Sequence, residues 1–168
     1  LDSANGAAHP TGRYDSAYVA GDTIINFSRY RVYRYQDYFS TGYITRYQRD
    51  SLQYTVDHKG RILFATNDFV NVFRTYQFGP NGAVGDTIIV TEQMGGKNEM
   101  TTVPAGTFKT YSFLEVYHQP PGYPYGAERI KEHRYARNIG LVTESSQFYF
   151  ALPQLHEKRL VRYHLADR

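Results

Sequence analysis

The sequence predicts an all-β fold: an antiparallel meander, sandwich or curled half-barrel of about ten to twelve strands. Three observations carry that expectation. The 168 residues include 17 Tyr and 10 Phe but no Trp, a composition suited to pleated, half-buried surfaces. Alternating segments recur along the chain, separated by Gly, Pro, Asn and Asp. Finally, Val103-Pro104-Ala105-Gly106-Thr107-Phe108-Lys109-Thr110-Tyr111 reads as a strand end, a tight turn and a new strand. Pro104 presets φ near −65°, and Gly106 can take the left-handed conformation that closes a hairpin between residues 99–103 and 107–117.

In chain order, residues 1–13 are small, polar and punctuated by Gly6, Pro10 and Gly12, and read as a flexible lead-in. Residues 14–168 read as a single β domain. Its first strand is Tyr14 to Ala20, followed by a turn at Gly21-Asp22, a short strand Thr23-Ile24-Ile25 and a turn at Asn26. Ser28 to Phe39 is a long strand, and Tyr43 to Asp50 alternates again after Thr41-Gly42. Leu52 to Val56 and Arg61 to Thr66 flank Asp57-His58-Lys59-Gly60, a polar link ending in Gly that signals a hairpin. Phe69 to Phe78 is a strand, and Gly79-Pro80-Asn81-Gly82 a loop.

Gly85-Asp86-Thr87-Ile88-Ile89 then repeats Gly21 to Ile25 word for word, and both copies read as a Gly-Asp turn opening a strand. Met94 to Asn98 reads as a link into the hairpin at Pro104, and His118 to Gly126 as a Pro/Gly/Tyr loop. Ala127 to Arg137 tolerates a helix by composition, but its charges follow no apolar stripe at helical spacing, so it is assigned as a strand. Asn138-Ile139-Gly140 turns into a strand from Leu141 to Phe150. Leu152 to Glu157 reads as a loop, and Lys158 to Leu165 as the final strand.

The net charge of +3 permits acidic partners without demanding them. Absence of cysteine excludes disulfides and thiolate metal sites. No apolar run approaches the roughly 18 residues of a membrane-spanning helix. The six histidines, His9, His58, His118, His133, His156 and His164, are scattered. Glu115 and His118 lie three apart on a strand and point to opposite faces, as do the adjacent Glu132 and His133, so neither pair makes two ligands of one metal. There is no Gly-x-Ser-x-Gly elbow, P-loop or dinucleotide fingerprint. No catalytic residue, metal site or cofactor is therefore assigned.

The candidate binding surface is the Arg/Tyr-rich stretch: Arg29, Tyr30, Arg31, Tyr33, Arg34 and Tyr35, with Tyr43, Arg46 and Tyr47 from the next strand. Guanidinium groups among aromatic faces suit sugars and anions. Alternation lets only one residue set line a surface, either Arg29, Arg31, Tyr33 and Tyr35 or Tyr30 and Arg34. Cross-strand Tyr/Arg pairing on a solvated sheet explains the same pattern without a ligand. Nucleic acid is disfavoured by the small net charge, by Asp37 and Asp50 within the patch and by the lack of an RNP-type motif.

Val103-Pro104-Ala105-Gly106-Thr107-Phe108, Tyr135-Ala136-Arg137-Asn138-Ile139-Gly140-Leu141-Val142 and Arg159-Leu160-Val161-Arg162-Tyr163 together resemble uncharacterised secreted or lipid-anchored proteins of Gram-negative bacteria. In those domain-of-unknown-function families a VPAGTF hairpin precedes a similar strand and a closing strand, and the two GDTII segments resemble a strand-opening phrase of the same families. The resemblance spans roughly residues 18–165; Arg137 and Asn138 depart from its pattern. It implies an all-β fold and an extracytoplasmic place (periplasm, outer-membrane-anchored or secreted), with a signal peptide and a lipid anchor expected upstream of Leu1. It brings no catalytic residues. The expectation is a non-enzymatic binding or scaffold protein of the cell envelope, with a lipid, glycan or protein as ligand; the alternative is a hydrolase acting on envelope polymers.

Overall fold

The computed structural model describes residues 2–4, 7–36, 42–78, 87–121, 128–147 and 155–165. Every regular element among them is a β-strand, and every pairing is antiparallel. The chain divides into two compact units, one formed by Leu1–Thr11 with Phe69–Arg168 and the other by Gly12–Asp68. The single domain read over 14–168 thus corresponds to the second unit plus most of the first.

The unit Gly12–Asp68 is a five-stranded meander: β3 (Ala17–Ile25), β4 (Ser28–Gln36), β5 (Tyr43–Ser51), β6 (Tyr54–Asp57) and β7 (Ile62–Ala65), in that spatial order. The expected turn at Gly21-Asp22 is instead a bulge inside β3, where the register shifts between Val19 and Gly21. Gly21 absorbs the extra residue at φ 137°, so the ladder continues to Ile25 without a break. A two-residue turn, Asn26-Phe27, follows, closed by Ile25 opposite Ser28. Asp57 organises the expected hairpin of residues 57–60, its Oδ1 accepting from the backbone N–H of Lys59 at 2.8 Å and of Arg61 at 2.9 Å. Leu52, assigned to a strand, lies in the two-residue β5–β6 turn instead, because Ser51 pairs with Tyr54.

The other unit holds an eight-stranded sheet. Its body is the meander β8 (Val72–Phe78), β9 (Ile88–Val103), β10 (Gly106–His118), β11 (Glu128–Ala136), β12 (Gly140–Gln147) and β13 (Leu155–Arg159), and the short β1 (Asp2–Ala4) and β2 (Ala7–His9) add to it at β13. Six residues of the segment read as a lead-in, Asp2–Ala4 and Ala7–His9, therefore lie in strands. The β9–β10 hairpin forms as expected: Pro104-Ala105 is the turn, Val103 pairs with Gly106, and Gly106 has φ 135°. Within the segment 127–137 assigned as a strand, Glu128–Ala136 is one, while Ala127 lies outside the described residues.

Two further readings need correction. Met94 to Asn98 is an irregular stretch within β9 rather than a link. Gly95 permits close packing there, since a Cβ would come within 2.6 Å of Ser112 Oγ and 2.9 Å of Leu114. At the C-terminus, the strand is Leu155–Arg159, and residues 160–165 are outside regular structure. Leu160 is drawn from the ladder into packing: with Ala105, Phe108 and Ile139 it covers the buried Val103, Ala136 and Val142. Its carbonyl accepts from Ala105 N–H at 3.2 Å, and its N–H donates to Val142 at 2.8 Å. The turn of the long hairpin and the segment that follows β13 thus meet, giving this sheet a curl. A second cluster, Ile88, Val90 and Tyr117 with Tyr76, lies farther along the same sheet. The loops read at 79–82 and 122–126 and the end of the strand read to Phe39 lie outside the described residues, as does Gly85-Asp86 of the repeated phrase.

Candidate functional site

The Arg/Tyr surface is carried by β3–β5. The register pairs Tyr33 with Arg46, Arg31 with Gln48 and Tyr35 with Ile44, while Asp22 lies opposite Arg31. Alternation therefore puts Arg29, Arg31, Tyr33, Tyr35 and Arg46 on one face, and Tyr30, Arg34, Tyr43 and Tyr47 on the other. The nine residues do not form one surface. Tyr30 is buried, and the same face carries Val56 and Ala65, also buried, so this is the core side of the small sheet.

On the opposite face, Arg29 and Arg31 are exposed and Tyr33, Tyr35 and Arg46 are half-buried. Arg46 Cζ stands 5.2 Å from the Tyr35 ring centroid, and its Nη2 donates to Tyr35 Oη at 3.2 Å. The Arg31 guanidinium is held further toward its charged form by its hydrogen bond to Tyr33. Arg29 Nε donates to Asp22 at 3.0 Å. The arginines are thereby positioned by neighbouring side chains, and the charge is partly offset by Asp22. Arg49 pairs in the same manner with Tyr30, at 5.6 Å from ring to Cζ.

A second constellation was not legible in the sequence. The register of β10, β11 and β12 aligns Phe113, His133 and Glu144 across three strands, with Glu115 opposite Lys131. His133 Nε2 lies 3.3 Å from Glu115 Oε1, and Nδ1 lies 3.3 Å from Glu144 Oε2. Tyr117 Oη donates to Glu115 at 3.0 Å, and Lys131 Nζ is 3.8 Å from it. Burial raises the cost of ionising both carboxyls, but hydrogen bonds from His133 outweigh it and hold each at about 2. Burial pushes His133 the other way, yet its two carboxylate partners leave it raised overall.

That geometry argues against general-base chemistry at His133. An imidazolium donating from both nitrogens has no lone pair to accept a proton. Glu115 belongs to a longer transverse row, with Glu92 opposite it on β9 and Arg74 opposite Glu92 on β8. Glu92 is completely buried, and Arg74 Nη1 reaches it at 3.6 Å while lying over the Tyr76 ring at 4.3 Å. Among the described residues, no group of three or more His, Asp or Glu is arranged to hold a metal ion.

The curl of the large sheet also leaves an open groove of about 360 Å³. Met100, Thr101, Glu132, Arg134, Glu157 and Arg159 are among its lining residues. Its charges are paired: Arg134 binds Glu99 at 2.8 Å and Glu132 at 3.1 Å, and Arg159 binds Glu157 at 2.8 Å. Such a lining is ill suited to a lipid chain.

Compared with protein-family models, with curated proteins and with solved structures, the chain finds no match in any of the three.

Proposed function

We propose that this is a non-enzymatic binding protein of the bacterial cell envelope, and that its working surface is the face carrying Arg29, Arg31, Tyr33, Tyr35 and Arg46. The observation that carries the reading is the register, which gathers Arg29, Arg31, Tyr33, Tyr35 and Arg46 on one face, opposite the buried Tyr30. Their rings and guanidinium groups alternate across two strands, with Arg46 held against Tyr35. Such a surface stacks on sugar rings while arginine pairs with carboxylate or phosphate. The ligand class is therefore an acidic glycan. The extracytoplasmic placement draws on the resemblance of the Val103–Phe108 and Tyr135–Val142 segments to secreted and lipid-anchored proteins.

The test is a binding screen of envelope glycans, other anionic polymers and lipids against the wild-type chain. Tyr33→Ala and Arg31→Ala should each weaken binding of an acidic glycan, the lost ring by about 1–3 kcal/mol if it stacks as aromatic platforms do elsewhere. Arg34→Ala and Tyr47→Ala, on the other face, should change affinity little. A ligand whose affinity ignores Tyr33 and Arg31 places the site elsewhere, and turnover of any polymer contradicts the non-enzymatic reading. Fractionation of the native host, with mass spectrometry of the mature N-terminus, tests the compartment: a cytosolic, unprocessed chain contradicts it.

A further inference from the structure

The two hairpin turns at one end of the five-stranded sheet are built from the wrong residues for their geometry. Two-residue β-hairpin loops require positive φ at one or both central positions, which Gly and Asn adopt at least cost. In the β3–β4 turn Asn26 has φ 49°, as expected, but Phe27 follows at φ 62°. In the β5–β6 turn the positive-φ position, at 57°, is occupied by Leu52. A large non-glycine residue in this region is strained, and such strain persists where it serves a function.

Neither side chain recovers the cost by packing. Phe27 is 105% exposed and Leu52 101%, each as open to water as in an isolated peptide, and Ile24 nearby is 74% exposed. Single exposed apolar residues are ordinary on protein surfaces. Here, however, two occupy strained turn positions at the same end of one sheet. The β4–β5 register, which pairs Arg31 with Gln48, carries Phe27 level with Leu52 when continued to the turns.

We infer that these two tips are a membrane-docking device, inserting Phe27 and Leu52 into the interface of a lipid bilayer. The shape and area favour a bilayer over a folded protein partner. A stable protein interface buries about 800 Å² on each side, whereas two large side chains on projecting turns offer about half of that. A fluid interface accepts separate projecting side chains without two matching pockets. The charged side chains nearest the β3–β4 tip, Arg29 and Asp22, are paired with one another, so attachment is driven by apolar burial and is weakly sensitive to salt. Docking of this kind is weak and reversible, since it involves only two side chains.

The inference stands apart from the glycan surface, and the experiment separates them. The chain has no Trp, so Phe27→Trp introduces a single fluorescent reporter at the tip. Vesicles of phosphatidylethanolamine and phosphatidylglycerol should shift its emission to the blue, and should do so equally at low and high salt. The double variant Phe27→Gly with Leu52→Gly should lose about a hundredfold in vesicle partitioning, roughly tenfold for each apolar side chain. Its urea midpoint should rise, because Gly relieves the turns. Binding of an acidic glycan should be unchanged in the double variant and should weaken with salt. Unmoved Trp emission, equal partitioning of the double variant or a lowered urea midpoint would each overturn the inference.

Discussion

Replacing His133 with Leu tests the electrostatic reading of the large sheet, because the substitution removes a cation that contacts both Glu115 and Glu144. Breaking a fully buried ion pair costs about 3–5 kcal/mol. The Glu115 and Glu144 side chains keep 13% and 20% of their exposure, and Lys131 stays within 3.8 Å of Glu115. Both features lower the expected cost, to about 2–3 kcal/mol near pH 5.5. The pH dependence follows from the signs. The two carboxyls sit at about 2 in the fold against an ordinary 4.5, so their contribution is present above 4.5 and is lost as pH falls toward 2. His133 is raised above its ordinary 6.5, so its contribution is whole below 6.5 and is lost as pH rises through the raised value. The difference in urea-unfolding free energy between wild type and His133→Leu should therefore peak between about pH 4.5 and 6.5 and shrink at pH 3 and at pH 9. A difference that is flat across this range would refute the ion-cluster account and leave only a packing effect.

Three further substitutions probe the backbone. Gly106→Val should destabilise by about 1–2 kcal/mol in denaturant titration, since Gly106 has φ 135° while the space beside it is open enough for a side chain. Gly95→Ala should cost about 1–3 kcal/mol by the same assay, because the new methyl meets Ser112 and Leu114 on β10. Asp57→Ala removes the acceptor of two backbone N–H groups in the β6–β7 turn and should cost about 1 kcal/mol, with faster hydrogen exchange at Lys59 and Arg61.

The strands and the tightest turns were legible because their causes are local. Alternation and β-branched or aromatic content mark most of the strands; Pro104 with Gly106 and Asp57 with Gly60 mark two hairpins by turn chemistry alone. Errors arose where one residue's role depends on a neighbour strand. Gly21 reads as a turn, yet β4 pairs on both sides of it and makes it a bulge. Leu52 reads as strand, yet the pairing of Ser51 with Tyr54 forces it into a turn that its side chain disfavours. The Glu115–His133–Glu144 cluster was illegible for a related reason. Its members lie on three strands, and the register of β10 against β11 is set across a loop whose length gives no alignment. The turn at Asn138-Ile139-Gly140 brings β12 back along β11, but its register alone would set His133 opposite Thr143; a shift between Arg134 and Tyr135 moves it opposite Glu144. For the Arg/Tyr stretch, alternation separated the two residue sets, but choosing between them required the burial of Tyr30.

The measurement that bears most directly on the proposed function is the salt dependence of acidic-polysaccharide binding by wild type and by Arg31→Ala with Arg46→Ala. Arg31 is exposed on the proposed face, and Arg46 is fixed against Tyr35. If the face binds carboxylate or phosphate groups, wild-type affinity falls as salt rises from 0.05 to about 0.5 M, and the double variant binds more weakly with a shallower dependence. Affinity that does not change with salt, or a double variant that follows the wild-type curve, would contradict the account.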